Sequence, residues 1–297
     1  MLYDVRLIIS HHYPHIAVGV RQMLRLMPAA RPGHQRLIAA GLTITPPPAH
    51  RGDAIDFFGN AYSSVAFDAP LEDLLFKVSA RVEVTGPASA IDLSAALEDL
   101  PRELSACRDL GPASPLHFIA PTPRTPEVAE IAAYALEVTR GAGNCAEAVF
   151  ALGRALHRDM RFDPEATTVD TPAAEAFRAR HGVCQDFTHI MIIALRSLGI
   201  PAGYVSGVLR TQPPPGQPRL EGADAMHAWV SAWCGAAAGW IDYDPTNAVQ
   251  VDAEHIFIAR GRDYADVAPI RGAVRTTGEQ QSTHAVDVIA VDAATRF

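Results

Sequence analysis

Residues 182–201, GVCQDFTHIMIIALRSLGIP, constrain the fold more than any other stretch. The apolar run after Phe187 is too long for a strand and predicts a buried helix. Gly182 permits an abrupt entry, and Gly199 followed by Pro201 is a stop signal. Cys184 therefore falls in the first helical turn. Helix N-termini carry partial positive charge and unpaired N–H groups. Such a setting eases ionisation of a thiol and can hold a developing oxyanion. Cys184 is a candidate nucleophile on that ground, although most lone cysteines are simply small buried apolar residues.

Residues 225–233 (AMHAWVSAW) and 240–244 (WIDYD) are strand-like and flank a loop of small residues, the pattern of an antiparallel hairpin. With the turn centred near 235–239, paired residue numbers sum to roughly 472–476, so His227 faces the region just after Asp244. Asp242 shares that face about two residues, or ~7 Å, further along. Asp244 is thus the expected partner of His227. A thiol, a base and an orienting carboxylate are the parts of a Cys-His-Asp triad. The plainer alternative is a core histidine beside a solvated carboxylate.

The segments GVCQDF, RSLGIPAGYVSG, DAMHAW and GWIDYDPTN, in this order, resemble the transglutaminase-like core of bacterial proteins labelled as cysteine proteases. The resemblance covers most of residues 125–270. It implies a papain/transglutaminase-like core, with the catalytic cysteine at a helix N-terminus packed on an antiparallel sheet. It also implies Cys184, His227 and Asp244 as the triad, and favours hydrolysis over acyl transfer to an amine. Gln185, as a side-chain oxyanion donor, and Trp229 and Trp240, as shields of the ion pair, are the candidate substrate-site residues. Two positions depart from the family pattern: Gly203 stands where arginine is usual, and Phe162 where tyrosine is common.

The fold class expected is α+β, an N-terminal antiparallel β-sandwich followed by that core. Residues 1–95 form the first domain, 96–124 a connector, and 125–297 the core with a closing strand at 283–291. Strand character is clearest at 3–9, 21–26, 35–44 and 75–84, the last strictly alternating. The segment resembles the N-terminal domain that commonly precedes this core, including Asp56 to Asn60, which read as a turn. Helices are expected from Thr125-Pro126, from the Asn144/Glu147 capping box to about His157, and from Thr171-Pro172 to near His181. Residues 211–218 read as a surface loop near the cleft.

Composition narrows the partners. A net charge of −8 and a pI near 5.8 argue against nucleic acid or an anionic membrane. A peptide or small amide is the substrate that the triad and the resemblance imply. Four scattered cysteines without a CxxC pair suit a reducing, cytoplasmic setting, and the N-terminus lacks a signal-peptide pattern. No calcium loop appears, and no cofactor is expected. His11, His12 and His15 lack supporting ligands, and adjacent strand residues point to opposite faces. His181, Cys184 and His189 are equally poor as a metal set, because Cys184 and His189 are five apart on a helix. A non-catalytic binding module that keeps the fold is the alternative from another class.

Overall fold

The computed structural model describes residues 1–86, 91–211, 222 and 224–291. Alternation builds its first strand. Tyr3, Val5, Leu7, Ile9, His11 and Tyr13 are buried, and the residues between them are less so. Sequence alone suggests two strands here, but a single β1 (Leu2–Leu24) runs through. Register shifts between His12 and Ala17 and between Val18 and Arg21 absorb Pro14 and the left-handed Gly19 as bulges.

Strands β2 (Gln35–Thr45), β3 (His50–Ile55), β4 (Ala61–Ala66) and β5 (Leu71–Val84) complete an antiparallel order β2-β5-β1-β4-β3. The first half of β1 pairs with β5 and the second with β4, so one bent strand serves both pairing sets. Asp56 to Asn60 do make a turn, with Gly59 at φ +85° and the Asp56 carbonyl accepting from the Gly59 N–H.

Three helices follow: α1 (Leu100–Ala106), α2 (Ala129–Val138) and α3 (Cys145–Asp159). The Asn144 cap forms as expected, its side chain accepting from the Glu147 N–H at 2.9 Å. The return bond is displaced by one residue: the Glu147 carboxylate accepts from the Gly143 N–H at 2.7 Å and not from Asn144. Helix α2, however, starts at Ala129 rather than after Thr125. The Thr125 hydroxyl is engaged by Thr122 and by the Arg196 guanidinium, and so is not available as a cap. Next come β6 (Arg161–Phe162), α4 (Ala173–Ala179), β7 (His181–Gly182) and α5 (Cys184–Ser197). Every residue of α5 from Gln185 to Leu195 is buried: the apolar run 190–195 belongs inside, and the polar Gln185, Asp186, Thr188 and His189 each find a hydrogen-bond partner there.

The second sheet has the order β11-β10-β9-β8-β12, from β8 (Ala202–Leu209), β9 (Ala225–Trp233), β10 (Trp240–Asp244), β11 (Val249–Gln250) and β12 (His255–Gly261). A short α6 (Tyr264–Val267), β13 (Ile270–Arg275) and β14 (Gln281–Ala290) end the described chain. The strand read at 283–291 exists, but it closes the N-terminal sheet and not the core. As β14 it pairs with residues 3–12 of β1, where Val286 and Val288 extend the buried face opposite Leu7 and Val5. The boundary at 95 is also less sharp than the sequence suggests, since the Ala95 N–H bonds to Cys234 and its carbonyl to Cys145. Most of the loop at 211–218 lies outside the described residues.

The two domains are joined along β12, an edge strand of the second sheet. Asn60 brackets Arg260, donating to its carbonyl at 2.8 Å and accepting from its N–H at 2.7 Å. Gln35 does the same for Phe257 at 2.8 and 2.9 Å. Two side-chain amides thereby stand in for a missing strand and cover the open edge. Inside the core, α3 approaches β10 so closely that a Cβ on Gly153 would lie 1.8 Å from the Tyr243 ring. Gly153→Ala is expected to cost about 2 kcal/mol in urea unfolding, because neither helix nor ring can yield freely. An unchanged midpoint would contradict that contact.

Candidate active site

The helix entry is built by Asp186, whose carboxylate accepts from the Val183 N–H at 2.8 Å and the Thr167 hydroxyl at 2.6 Å. This is the returning half of a capping box. Gly182 is required beside it, since a Cβ there would sit 2.6 Å from the Asp186 carboxylate. The Asp186 and Phe187 N–H groups reach the Val183 carbonyl. The Cys184 and Gln185 N–H groups precede those first bonds, leaving Cys184 half-buried at a positive helix end.

Register brings the hairpin residues together. Tyr243 pairs with Val230 and Asp242 with Ser231, and continuing that register puts Thr246 opposite His227. His227 Nε2 lies 2.7 Å from Asp244 Oδ2, which leaves Nδ1 as the nitrogen available to a sulfur. Asp244 is wholly buried, and its turn satisfies it. Oδ1 accepts from the Thr246 and Asn247 N–H groups at 2.9 and 3.2 Å, and Oδ2 from the Asn247 amide at 2.7 Å. A second histidine, His255, places Nε2 3.3 Å from the same Oδ2.

Burial alone would neutralise these groups, and pairing overrides it. Burial pulls His227 down, but hydrogen bonds to Asp244 and to the Cys184 sulfur push it up to about 10. Burial raises the Asp244 carboxyl, yet the bonds from His227 and His255 hold it far below the usual carboxylate range. Nearby His189 has no such partner. Burial, helped by Arg124 and Arg196, lowers it to about 3, and its neutral Nε2 accepts from the Tyr264 N–H at 3.2 Å. Tyr204 packs against His189, with ring centroids 5.2 Å apart, and burial pushes its hydroxyl well up.

The remaining sequence candidates fall in three places. Gln185 donates its amide to the Val169 carbonyl at 3.0 Å and so ties the preceding loop to the helix. Trp229 is buried behind the imidazole, its ring centroid 6.4 Å from that of His227, and donates Nε1 to Asp242 at 3.1 Å. Trp240 is not in this cluster. It pairs with Trp233, six positions along β9 from His227, and its Nε1 donates to the Ala113 carbonyl at 3.0 Å. The space next to Gly203 is filled by the Phe118 ring, 2.7 Å from where a Cβ would stand.

Sequence reasoning missed His255, Asn247 and Arg31. Arg31, from the N-terminal domain, ion-pairs with buried Asp242 and lowers it to about 2, against the pull of burial. Among the described residues one metal-like group stands out, with ligand atoms of His227, Asp244 and His255 within 4.8 Å of one another. Both Nε2 atoms aim at the same Oδ2, which is the arrangement of two donors sharing an acceptor. His181 lies beside Asp163 and His189 beside Tyr204, so neither joins Cys184 in a ligand set. His11 and His12 split between the two faces of β1, bonding to Ser282 and Asp73 respectively.

With this geometry in place, comparison with known proteins identifies the family. The model for the transglutaminase-like superfamily matches residues 132–245, and that for the bacterial transglutaminase-like N-terminal region matches 3–83. The chain belongs to the transglutaminase-like superfamily. It is 37% identical over 263 residues to the Mycobacterium tuberculosis protein Rv2569c, covering 86% of this chain and 82% of that one. It is 38% identical over 157 residues to ML0607 of Mycobacterium leprae, 52% of this chain and 53% of that one. Its fold matches the crystal structure named "Putative Cysteine Protease from Cytophaga hutchinsonii" with a TM-score of 0.73. That match has 20% identity and covers 100% of this chain and 92% of the other. No helix among the described residues is long and apolar enough to cross a membrane.

The raised His227 and the lowered Asp244 describe one pair, and its stability has two edges. The His227 side is fully present below the ordinary histidine range and is lost as pH rises through about 10. The Asp244 side is present above the ordinary carboxylate range and is lost as pH falls through its depressed value. Asp244→Asn is therefore expected to cost about 3 kcal/mol at pH 7. In urea melts the gap to wild type should shrink as pH climbs past 9. A gap constant from pH 6 to 11 would contradict the pair.

Proposed function

We propose that the protein is a cysteine-dependent amide or peptide hydrolase working through a Cys184-His227-Asp244 triad and a thioester acyl-enzyme. One observation carries this reading: a buried His227 whose Nε2 lies 2.7 Å from the buried Asp244 carboxylate, leaving Nδ1 for the Cys184 sulfur at a helix N-terminus. In this mechanism the Cys184 thiolate attacks the substrate carbonyl carbon. The oxyanion forms beside the Cys184 N–H. Collapse breaks the C–N bond, and the His227 Nδ1 proton leaves with the amine. His227 then takes a proton from water, whose oxygen attacks the thioester; collapse breaks the C–S bond, frees the acid and restores the thiolate beside the protonated imidazole. Asp244 keeps the imidazole in the required tautomer and stabilises its charged form. The Cytophaga protein's name points the same way. Peptides or small amides are the substrate class, and the four unpaired cysteines favour the cytoplasm.

Transfer to an amine uses the same first half-reaction, so the acceptor needs its own test. With p-nitrophenyl acetate, mass mapping should find a hydroxylamine-labile acetyl group on Cys184, absent from Cys184→Ala. His227→Ala should slow acylation about 100-fold or more. Added glycine methyl ester should leave the deacylation rate unchanged; acceleration with amide formation would assign a transferase. No adduct on Cys184 would put the binding-module reading first.

A further inference from the structure

We propose that His255 is a positioning residue that clamps the Asp244 carboxylate for His227, an inference that rests on the hydrolase reading above. His255 opens β12, is 5% exposed, and lies between two carboxylates. Its Nε2 faces Asp244 Oδ2 at 3.3 Å and its Nδ1 faces Asp252 Oδ1 at 3.1 Å. A neutral imidazole has a single N–H and can donate to only one of them. Only the doubly protonated ring donates to both carboxylates; a singly protonated ring would donate Nε2–H to Asp244 and accept at Nδ1 from the Asp252 N–H, 3.4 Å away. Burial pulls the pKa of this ring down, and the bonds to Asp244 and Asp252 outweigh it, leaving it above the usual histidine value.

The charged and titratable groups around it fit this role. Asp244 and His227 face it across the sheet, and Asp252 faces it from its own turn. The edge of Trp229 closes one side at 5.3 Å between ring centroids. Arg31, His34 and Asp242 line the narrow crevice between the domains, of about 80 Å³, that His255 shares. Two consequences follow for the reaction. Oδ2 is held by three donors, so the carboxylate cannot swing away from the imidazole as the charge on His227 changes. The positive ring also offsets part of the pull of Asp244, so that His227 can release its proton to the leaving amine. The side-chain partners of His255 are Asp244, Asp252, His227 and Trp229, so it acts on the reaction through Asp244.

The test compares wild type with His255→Gln, which keeps a donor but no charge, and His255→Phe, which keeps neither. Acylation of Cys184 by p-nitrophenyl acetate is timed across pH 5–10, and ¹³C-labelled histidine NMR follows His227 and His255. In wild type His255 should be doubly protonated at pH 7. The Phe variant should acylate ~10-fold or more slowly, and the Gln variant should recover most of that loss. The His227 titration should move alkaline in both variants, a shift that a merely structural role would not produce. A His255 carrying one proton at pH 7, a Phe variant with wild-type rate and titration, or equal losses in Gln and Phe would overturn the proposal. If wild type does not acylate at all, the hydrolase reading fails, while the NMR titrations still decide the role of His255.

Discussion

A carboxylate with no solvent contact has to be compensated by its neighbours, and Asp244 sets that requirement for the whole core. Five donors converge on it: two backbone N–H groups, the Asn247 amide and two histidines. The Asp-Pro-Thr-Asn turn supplies three of them from within four residues, the usual use of an Asx turn. The histidines come from two other strands. An ionised carboxylate in this place favours the protonated form of His227, against the pull of burial.

The N-terminal domain supports this arrangement from behind. Arg31 pairs with Asp242, and Asp242 accepts from Trp229, whose ring lies against His227 and His255. Gly207 makes room for that ring, since a Cβ there would stand 2.4 Å from it. Gln35 and Asn60 meanwhile fix β12, the strand that opens with His255. The first domain therefore acts on the orientation of the imidazole pair through packing and one buried ion pair. No reacting group has to come from it.

What could be read from the sequence was local. The cysteine helix showed in one apolar run with its punctuation, and the hairpin register followed from counting across a short turn, which is why Asp244 and not Asp242 was the partner foreseen for His227. Asn247 lay within reach of the same turn chemistry. His255 did not, because β12 crosses to the far side of β8 before its first residue returns towards Asp244. Arg31, Gln35 and Asn60 find partners some 200 residues away, and nothing in their own neighbourhoods marks them. The misplaced start of α2 and the misassigned β14 have the same origin. A cap hydroxyl was claimed by distant Arg196, and an alternating strand was completed by the first strand of the chain.

The central claim is that Cys184 is activated by His227 and not merely accessible. Iodoacetamide at pH 7, with mass mapping of all four cysteines in wild type and His227→Ala, tests this directly. Cys107 is the internal control, because it is about as exposed as Cys184 but lies outside the site. The expected result is rapid, selective modification of Cys184 that slows to the Cys107 rate when His227 is removed. Equal rates at Cys184 and Cys107 in the wild-type protein would contradict the account.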